Sequence, residues 1–183
     1  MAPRQAAATC RDSSTGGGAA RRGARPQAKL RILGDGPLRA SLESTAKALE
    51  IGHAVQFAGA VPHAMVLDAL SSSTVLCLPS VHARSGDEEG LGQVLLEAGA
   101  AERPVVATTN GGIVDAVQDG RTGFLVDERD PGALAERLLA VLVDEGLARR
   151  LGRAGREFVL AEFDVHRQAR RLADEYERAI SGD

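Results

Sequence analysis

The 183-residue chain is long enough for one domain with a single hydrophobic core, and it is too short for two domains of ordinary size. Apolar residues make up 44% of the chain but aromatic residues only 3%, which predicts a core of Leu, Val, Ile and Ala side chains. Residues 1–29 hold six Arg or Lys and a single Asp, so 16 basic and 24 acidic residues remain beyond them. This acidic part disfavours nucleic acid as a partner.

The cysteine content and the hydropathy pattern bear on where the protein works. Cys10 and Cys77 give neither a disulfide framework nor a pair with metal-ligand spacing. No run of about eighteen apolar residues occurs, so no transmembrane segment is expected. We therefore expect a reduced, cytoplasmic setting.

Residues 1–28 are rich in Ala, Arg and Gly, and with almost nothing to bury they are predicted to be a disordered leader. Residues 29–183 are expected to form one domain in which short apolar runs alternate with helical patterns. The predicted strands cover residues 30–33, 55–57, 75–78, 105–108 and 124–126. The predicted helices between them cover residues 37–50, 64–71, 92–101 and 112–117. This alternation indicates an α/β fold with a parallel sheet and helices on both faces.

The chain after the last predicted strand has helical patterns only. Pro131 marks a helix start, and Leu residues recur behind it at a period of about 3.6 residues. A second helix is predicted over residues 145–161. A third begins after Asp164, a candidate N-cap, and continues to Ile180. Together they predict a helical C-terminal extension of the domain.

The stretch from Glu89 to Glu97 carries the strongest functional signal, because two carboxylates bracket a double-glycine turn that leads into an apolar helix. Gly90 and Gly92 let another molecule approach the main chain closely, and a helix start offers N–H groups and the positive dipole end to an anion. On a continuous helix, Glu97 would lie about 80° round from Glu89, so one elongated ligand with a diphosphate could contact both. Alternatively, Glu89 complements the helix dipole and Glu97 is a solvated surface residue.

Glycine-bearing loops follow four of the predicted strands. In an open parallel sheet, ligands bind at the carboxyl ends of the strands, and these ends share one edge. The four loops cover residues 34–36, 59–62, 79–89 and 108–112. They are expected to surround the Glu pair, although each could also be a tight turn that needs a positive φ.

These motifs occur in one order and at compatible spacings: Ile32 to Pro37, Phe57 to Pro62, and Pro79 to Val126 with its two Glu separated by seven residues. Over residues 29–180 they resemble the nucleotide-sugar-binding half of retaining glycosyltransferases with the two-domain GT-B fold, the glycosyl transferases group 1. The resemblance implies a Rossmann-like sheet that forms the C-terminal half of such an enzyme. In that family a terminal helix crosses back toward the partner domain.

The resemblance also implies roles for the residues of the glutamate stretch. Glu89 would be the catalytic residue, facing the donor sugar and its departing phosphate. Gly90, Leu91 and Gly92 would offer main-chain N–H groups to the diphosphate, and Glu97 would accept hydrogen bonds from the ribose hydroxyls.

Other loops would complete the substrate site if the same matching holds. Ala60, Val61 and Pro62 would border the nucleobase, and Gly34 would lie on the same rim. Asn110, Gly111 and Gly112 would close the far side. The implied reaction transfers a hexose from a nucleotide-diphospho-sugar to a saccharide or lipid acceptor with retention. It would need no metal and no other cofactor.

The front of the domain departs from the family pattern. The family has a strand, a Gly-Arg turn and a Lys there, whose cations hold the diphosphate, whereas this chain has residues 16–26. Charge-assisted contacts are roughly twice as strong as neutral ones, so weak donor binding is expected. The acceptor domain that precedes this half in the family is also missing, which predicts a fragment. A non-catalytic nucleotide-sugar-binding or vestigial module that acts with a partner chain is therefore an alternative, and an epimerase or phosphorylase of similar fold stays open.

The four histidines, His53, His63, His82 and His166, are scattered along the chain without the spacing of a zinc site. We expect them to be surface imidazoles. The acidic residues 87–89 could attract a divalent cation, but a solvated acidic loop is the simpler interpretation. No metal site is therefore predicted.

Overall fold

Six strands form one sheet in the computed structural model, which describes residues 7–12, 28–83, 86 and 88–181. In chain order they are β1 (Ala7–Asp12), β2 (Ala28–Leu33), β3 (Val55–Gly59), β4 (Val75–Leu78), β5 (Val105–Thr108) and β6 (Gly123–Val126). Their spatial order is β3-β2-β1-β4-β5-β6. The pairs β2–β3, β4–β5 and β5–β6 are parallel. All five predicted strands are confirmed, with ends that differ by at most two residues.

The strand β1 is the element that the sequence did not predict. It lies between β2 and β4 and is antiparallel to both, with Thr9 opposite Arg31 on one side and Leu76 on the other. Without β1, the facing edges of β2 and β4 would leave N–H and C=O groups unpaired inside the sheet. The expectation of disorder is therefore wrong for residues 7–12, whereas residues 1–6 and 13–27 of the predicted leader lie outside the described residues.

Helices follow the strands where the apolar periodicity predicts them. They are α1 (Arg39–Ala48), α2 (His63–Ser71), α3 (Gln93–Ala100), α4 (Ile113–Ala116), α5 (Pro131–Val143), α6 (Glu145–Glu162) and α7 (Val165–Ser181), with a 3₁₀ turn at Gly52–Ala54. Asp130, Asp144 and Asp164 begin the last three by accepting a hydrogen bond from the N–H three residues further on, at 2.8, 2.9 and 3.0 Å. None of the described helices is long and apolar enough to cross a lipid bilayer.

Helices cover both faces of the sheet, as expected. On one face, Leu76 of β4 packs with Leu95 of α3. On the other face, the preceding residue of the same strand, Val75, packs with Val141 of α5 and Leu151 of α6. Successive strand residues therefore feed two separate cores, because side chains alternate across a strand. The strands β2, β3 and β4 run in the same direction in this sheet, so their carboxyl ends lie at one edge.

Candidate functional site

A cavity of about 490 Å³ opens where β2, β3 and β4 end. Gly34 follows β2, Val61 follows β3, and Glu89 belongs to the loop after β4, so three of the four predicted loops meet there. Six of the ten predicted site residues line the cavity: Gly34, Val61, Glu89, Leu91, Gly92 and Glu97. The other four, Pro62, Gly90, Gly111 and Gly112, are not among the lining residues.

Both glutamates line this cavity, but not through the geometry of a continuous helix. The helix α3 begins at Gln93, so Glu89 lies in the loop before it and the expected angle of about 80° does not apply. Glu89 is only 7% exposed, and the Ser80 hydroxyl donates to its carboxylate at 3.3 Å. Glu97 lies on the second turn of α3 with 25% of its side chain exposed. The two carboxylates therefore share one cavity from a loop and from a helix.

The glycine turn between them has two distinct parts. Gly92 is the N-cap residue of α3 at φ 66°, and an added Cβ would lie 2.9 Å from Cδ1 of Leu95. Glycine is therefore required there by both backbone conformation and packing. At Gly90, by contrast, an added Cβ would meet nothing within 4 Å. The start of α3, whose first N–H groups have no carbonyl partner within the helix, forms the adjoining cavity wall.

The turn at Gly111 and Gly112 packs against the glutamate loop from behind. An added Cβ on Gly111 would lie 2.0 Å from the carbonyl oxygen of Glu89, and one on Gly112 would lie 2.4 Å from that of Gly90. The Gly112 N–H donates to the Glu89 carbonyl at 3.1 Å. These two glycines allow a close backbone approach that holds the Glu89 loop, and the expected contact at the far side of the ligand stays a prediction.

Asn110, fully buried beside this turn, joins Glu89 to a polar network that the sequence did not reveal. Its side-chain oxygen accepts from the Glu89 N–H at 2.8 Å, and its amide nitrogen donates to Glu128 at 2.7 Å. Glu128 also accepts hydrogen bonds from the main-chain N–H and from Nδ1 of His82. On the other side of the ring, Nε2 of His82 lies 3.0 Å from the Glu88 carboxylate.

The charges in this network move two pKa values in opposite directions. Hydrogen bonds from Asn110 and from the His82 main chain lower the pKa of Glu128 from 4.5 to about 2. The hydrogen bond to Glu128, with the nearby negative charge of Glu88, raises the pKa of His82 above its ordinary value of 6.5. His82 is thus a surface imidazole, as expected, with 47% of its side chain exposed, but carboxylates hold both of its ring nitrogens.

His63 is a second histidine whose setting the sequence did not show. It is the first residue of α2, and its Nε2 lies 3.0 Å from the Glu97 carboxylate. With Gln93 it adds polar side chains to the cavity wall. Its position directly after Pro62, in a loop predicted to border the ligand, could have marked it as a site residue. Its contact with Glu97 could not be predicted, because the two residues are 34 positions apart in the chain.

The cavity is acidic in character. Among the described residues that line it, none is Arg or Lys. Within the part of the chain that the structure describes, no group of three His, Cys, Asp or Glu side chains is placed to hold a metal ion. That transfer needs no metal stays a prediction.

Comparison with known proteins identifies the family of the chain. The family model for glycosyl transferases group 1 matches residues 19–158. The chain belongs to the glycosyl transferases group 1 family. It is 36% identical over 148 residues to a GDP-mannose-dependent alpha-(1-6)-phosphatidylinositol monomannoside mannosyltransferase of Mycobacterium tuberculosis, over 80% of this chain and 38% of that protein.

Two solved structures share the fold of the chain. Sucrose-phosphate synthase of Thermosynechococcus elongatus is 29% identical and superposes with a TM-score of 0.71 over 84% of this chain and 39% of that one. The HepE protein of Anabaena in complex with UDP has a TM-score of 0.71 at 22% identity, over 80% of this chain and 40% of that one. The sheet and its helices therefore form the Rossmann-like architecture of GT-B glycosyltransferases. The chain spans about two-fifths of the length of these relatives.

Proposed function

We propose that this domain is the donor-binding half of a retaining glycosyltransferase, which transfers a hexose from a nucleotide-diphospho-sugar to a saccharide or lipid acceptor. The observation that carries the proposal is the shared cavity, in which Glu89 and Glu97 lie on either side of a glycine turn at a helix start. Its volume of about 490 Å³ is ordinary for a ligand pocket. Family membership, the GDP-mannose dependence of the mycobacterial relative and the UDP bound to HepE all support a nucleotide diphosphate as the ligand.

In the proposed binding mode, the diphosphate lies against the main chain of Gly90, Leu91 and Gly92 and at the positive end of α3. Glu97 accepts hydrogen bonds from the ribose hydroxyls, next to His63. The nucleobase lies toward Val61 and the donor sugar toward Glu89. Because the described part of the cavity lining holds no Arg or Lys, main-chain N–H groups and the helix dipole supply most of the attraction for the diphosphate in this binding mode, and affinity is expected to be low.

Transfer would break the bond between the anomeric carbon and the diphosphate oxygen, with the electron pair leaving on the diphosphate. The acceptor hydroxyl forms the new bond to that carbon on the same face, and its proton passes to the departing phosphate oxygen. The positive charge that develops on the sugar ring would be stabilised by the buried carboxylate of Glu89, and the negative charge on the diphosphate by the N–H groups of the glycine turn.

The acceptor would be held by a second domain, which we propose covers the apolar face of α7. Leu172, Tyr176 and Ile180 recur at every fourth position of this helix and are 56%, 63% and 85% exposed, and α7 contains no buried residue. The relatives are more than twice as long as this chain, so they contain enough further sequence for such a domain. This second domain could belong to the same chain or to a separate chain.

A non-catalytic module that binds a nucleotide-sugar together with a partner chain is the second candidate. The absence of Arg and Lys from the lining residues that the structure describes favours it, because a weakly held donor fits a module that needs help from a partner. Both candidates place the protein with cytoplasmic nucleotide-sugars, in keeping with its cysteine usage.

Calorimetric titration of the chain with GDP-mannose and UDP-glucose tests the proposal. We expect binding by at least one donor, and we expect Glu97→Gln to weaken it about tenfold or more, because hydrogen bonds to a charged group are lost. Glu136→Gln, which removes the same charge from the exposed face of α5, is the matched control and should bind as the parent chain does. No heat of binding with either donor at millimolar concentration would reject the proposed site.

Turnover separates the two candidates. The purified chain is incubated with GDP-mannose and an acceptor lipid, and release of GDP is followed with and without Glu89→Gln. Release that depends on Glu89 would exclude the non-catalytic module. Donor binding without any release would favour it.

A further inference from the structure

We propose that His82 and Glu128 are positioning residues that hold Glu89 in place through Asn110, as a latch between three loops next to Glu89. The latch consists of His82 in the loop after β4, Asn110 in the loop after β5 and Glu128 in the loop after β6. The importance of the latch for sugar transfer rests on the function proposed for Glu89. Its effect on the Glu89 main chain is independent of that function.

The hydrogen bonds of Asn110 have only one consistent arrangement. The Glu89 main-chain N–H can only donate, so it must face the side-chain oxygen of Asn110, at 2.8 Å. The ionised Glu128 carboxylate can only accept, so it must face the Asn110 amide nitrogen, at 2.7 Å. Glu128 therefore favours the same orientation of the buried Asn110 amide as the Glu89 N–H does. If its carboxylate were removed, the amide nitrogen would be buried without this acceptor, and the contact with the Glu89 N–H alone would hold the orientation.

His82 is held on both sides of its ring and along its main chain. Its Nδ1 faces Glu128 and its Nε2 faces Glu88, so both ring nitrogens are donors in the protonated imidazole. The short approach of Asn110 to Nδ1 is then a contact between two donors that share the Glu128 oxygen, and not a hydrogen bond between them. The Glu128 carboxylate also accepts the His82 main-chain N–H at 2.9 Å, and Arg129 donates to the His82 carbonyl at 3.2 Å.

The charges around the ring give the latch a defined pH range. Among the described residues, the charged groups that contact His82 are Glu88 on its own loop and Glu128 and Arg129 on the loop after β6. Because the pKa of His82 is raised, its contribution is complete below pH 6.5 and is lost as the pH rises through the higher folded value. Because the pKa of Glu128 is lowered to about 2, its contribution is complete above pH 4.5 and is lost toward pH 2. The latch is closed between these limits.

Glu89 itself is held by the loop after β5 at both its main-chain N–H and its main-chain carbonyl. Asn110 accepts from its N–H, and the Gly112 N–H donates to its carbonyl at 3.1 Å. Opening the latch releases the first of these two contacts and leaves the second. We therefore expect a displaced Glu89 loop and not an unfolded domain.

The first test measures the latch without any ligand. Nuclear magnetic resonance of the ¹⁵N-labelled chain gives the pKa of His82 and the exchange rate of the Glu89 amide hydrogen. We expect His82 to titrate above 6.5 and to move toward 6.5 in Glu128→Gln, and the Glu89 amide to exchange about tenfold faster in Glu128→Ala. His53→Gln and Glu136→Gln are the matched controls and should change neither quantity. His82 titrating at or below 6.5 in the parent chain, or an unchanged Glu89 amide in Glu128→Ala, would overturn the latch.

The second test connects the latch to the site, with GDP as the probe. We expect GDP affinity in the parent chain to fall about three- to tenfold as the pH rises through the pKa of His82, and to be independent of pH over the same range in His82→Gln. The same pH dependence in both proteins would show that the latch does not act on the site. If GDP does not bind at all while His82 and the Glu89 amide behave as expected, the proposed function fails and the latch stands.

Discussion

The turn at Gly111 and Gly112 gives the sharpest prediction, because glycine substitutions there separate two causes of destabilisation. Gly111 has φ 49° and its added Cβ would lie 2.0 Å from the Glu89 carbonyl oxygen. Gly112 has an ordinary φ of −76° but a clash at 2.4 Å with the Gly90 carbonyl oxygen. Gly120 has φ 71° and open space around its added Cβ. Gly111→Ala therefore tests the clash and the left-handed conformation together. Gly112→Ala tests the clash alone, and Gly120→Ala tests the conformation alone.

The expected losses of unfolding free energy follow from these geometries. The left-handed conformation costs an L-residue about 1–2 kcal/mol, which is the whole effect expected for Gly120→Ala. Overpacking costs about 1–3 kcal/mol, which is expected for Gly112→Ala. Gly111→Ala combines the two and should lose about 2–5 kcal/mol, since its Cβ must retreat by about 1 Å to reach the shortest separation that real Cβ atoms show, 3.0 Å.

Urea unfolding followed by circular dichroism measures these differences, provided that the three variants unfold with the slope of the parent chain. The expected order of stability is Gly120→Ala, then Gly112→Ala, then Gly111→Ala. Gly111→Ala and Gly112→Ala should also weaken GDP binding, because the Glu89 loop must move, whereas Gly120→Ala should not. If Gly111→Ala were as mild as Gly120→Ala, the close contact between this turn and the Glu89 loop would be refuted.

Three further outcomes are expected. As the pH falls from 4.5 to 2, Glu128→Gln should lose less stability than the parent chain, because it lacks the carboxylate whose pKa is lowered to about 2. An equal loss would show that folding does not stabilise the ionised form of this carboxylate. Leu151→Ala, at a site 1% exposed, should cost about 2–5 kcal/mol in urea unfolding, and Leu160→Ala, at 57% exposed, less than about 1 kcal/mol; similar costs would contradict the placement of the second core. The double variant Leu172→Lys with Tyr176→Lys should bind GDP as the parent chain does. If adding the unmatched part of the mycobacterial relative as a separate protein gives the parent chain turnover of GDP-mannose, the double variant should show none. Retained turnover would argue against docking on α7.

The fold was predictable from the sequence where local patterns determine it. Residues 75–78 and 105–107 are continuous apolar runs, which are typical of central strands, and the bounds of β4 and β5 are as predicted. The strand β1 was not predictable, because the sequence Ala-Ala-Thr-Cys-Arg-Asp has no alternation of apolar and polar residues. It is a strand because β2 and β4 supply hydrogen-bonding partners on both sides, which is a non-local cause.

The site was predictable only in part for the same reason. The spacing of Glu89 and Glu97 around a glycine turn is a local pattern, and both side chains line one cavity. The latch joins His82 to Asn110 and Glu128, which lie 28 and 46 residues further along the chain. The glycine turn marks Asn110 as a rim residue, but no local pattern predicts its contacts with His82 and Glu128, which only the convergence of three strand ends brings together.

The claim that a nucleotide diphosphate binds between Glu89 and Glu97 is tested most directly by titrating the ¹⁵N-labelled chain with GDP and UDP and following the main-chain amide signals. The proposal predicts that the largest changes occur at Gly90, Leu91 and Gly92, with smaller ones at Glu97 and Val61. Unchanged signals at millimolar nucleotide, or changes confined to residues outside the cavity, would contradict it.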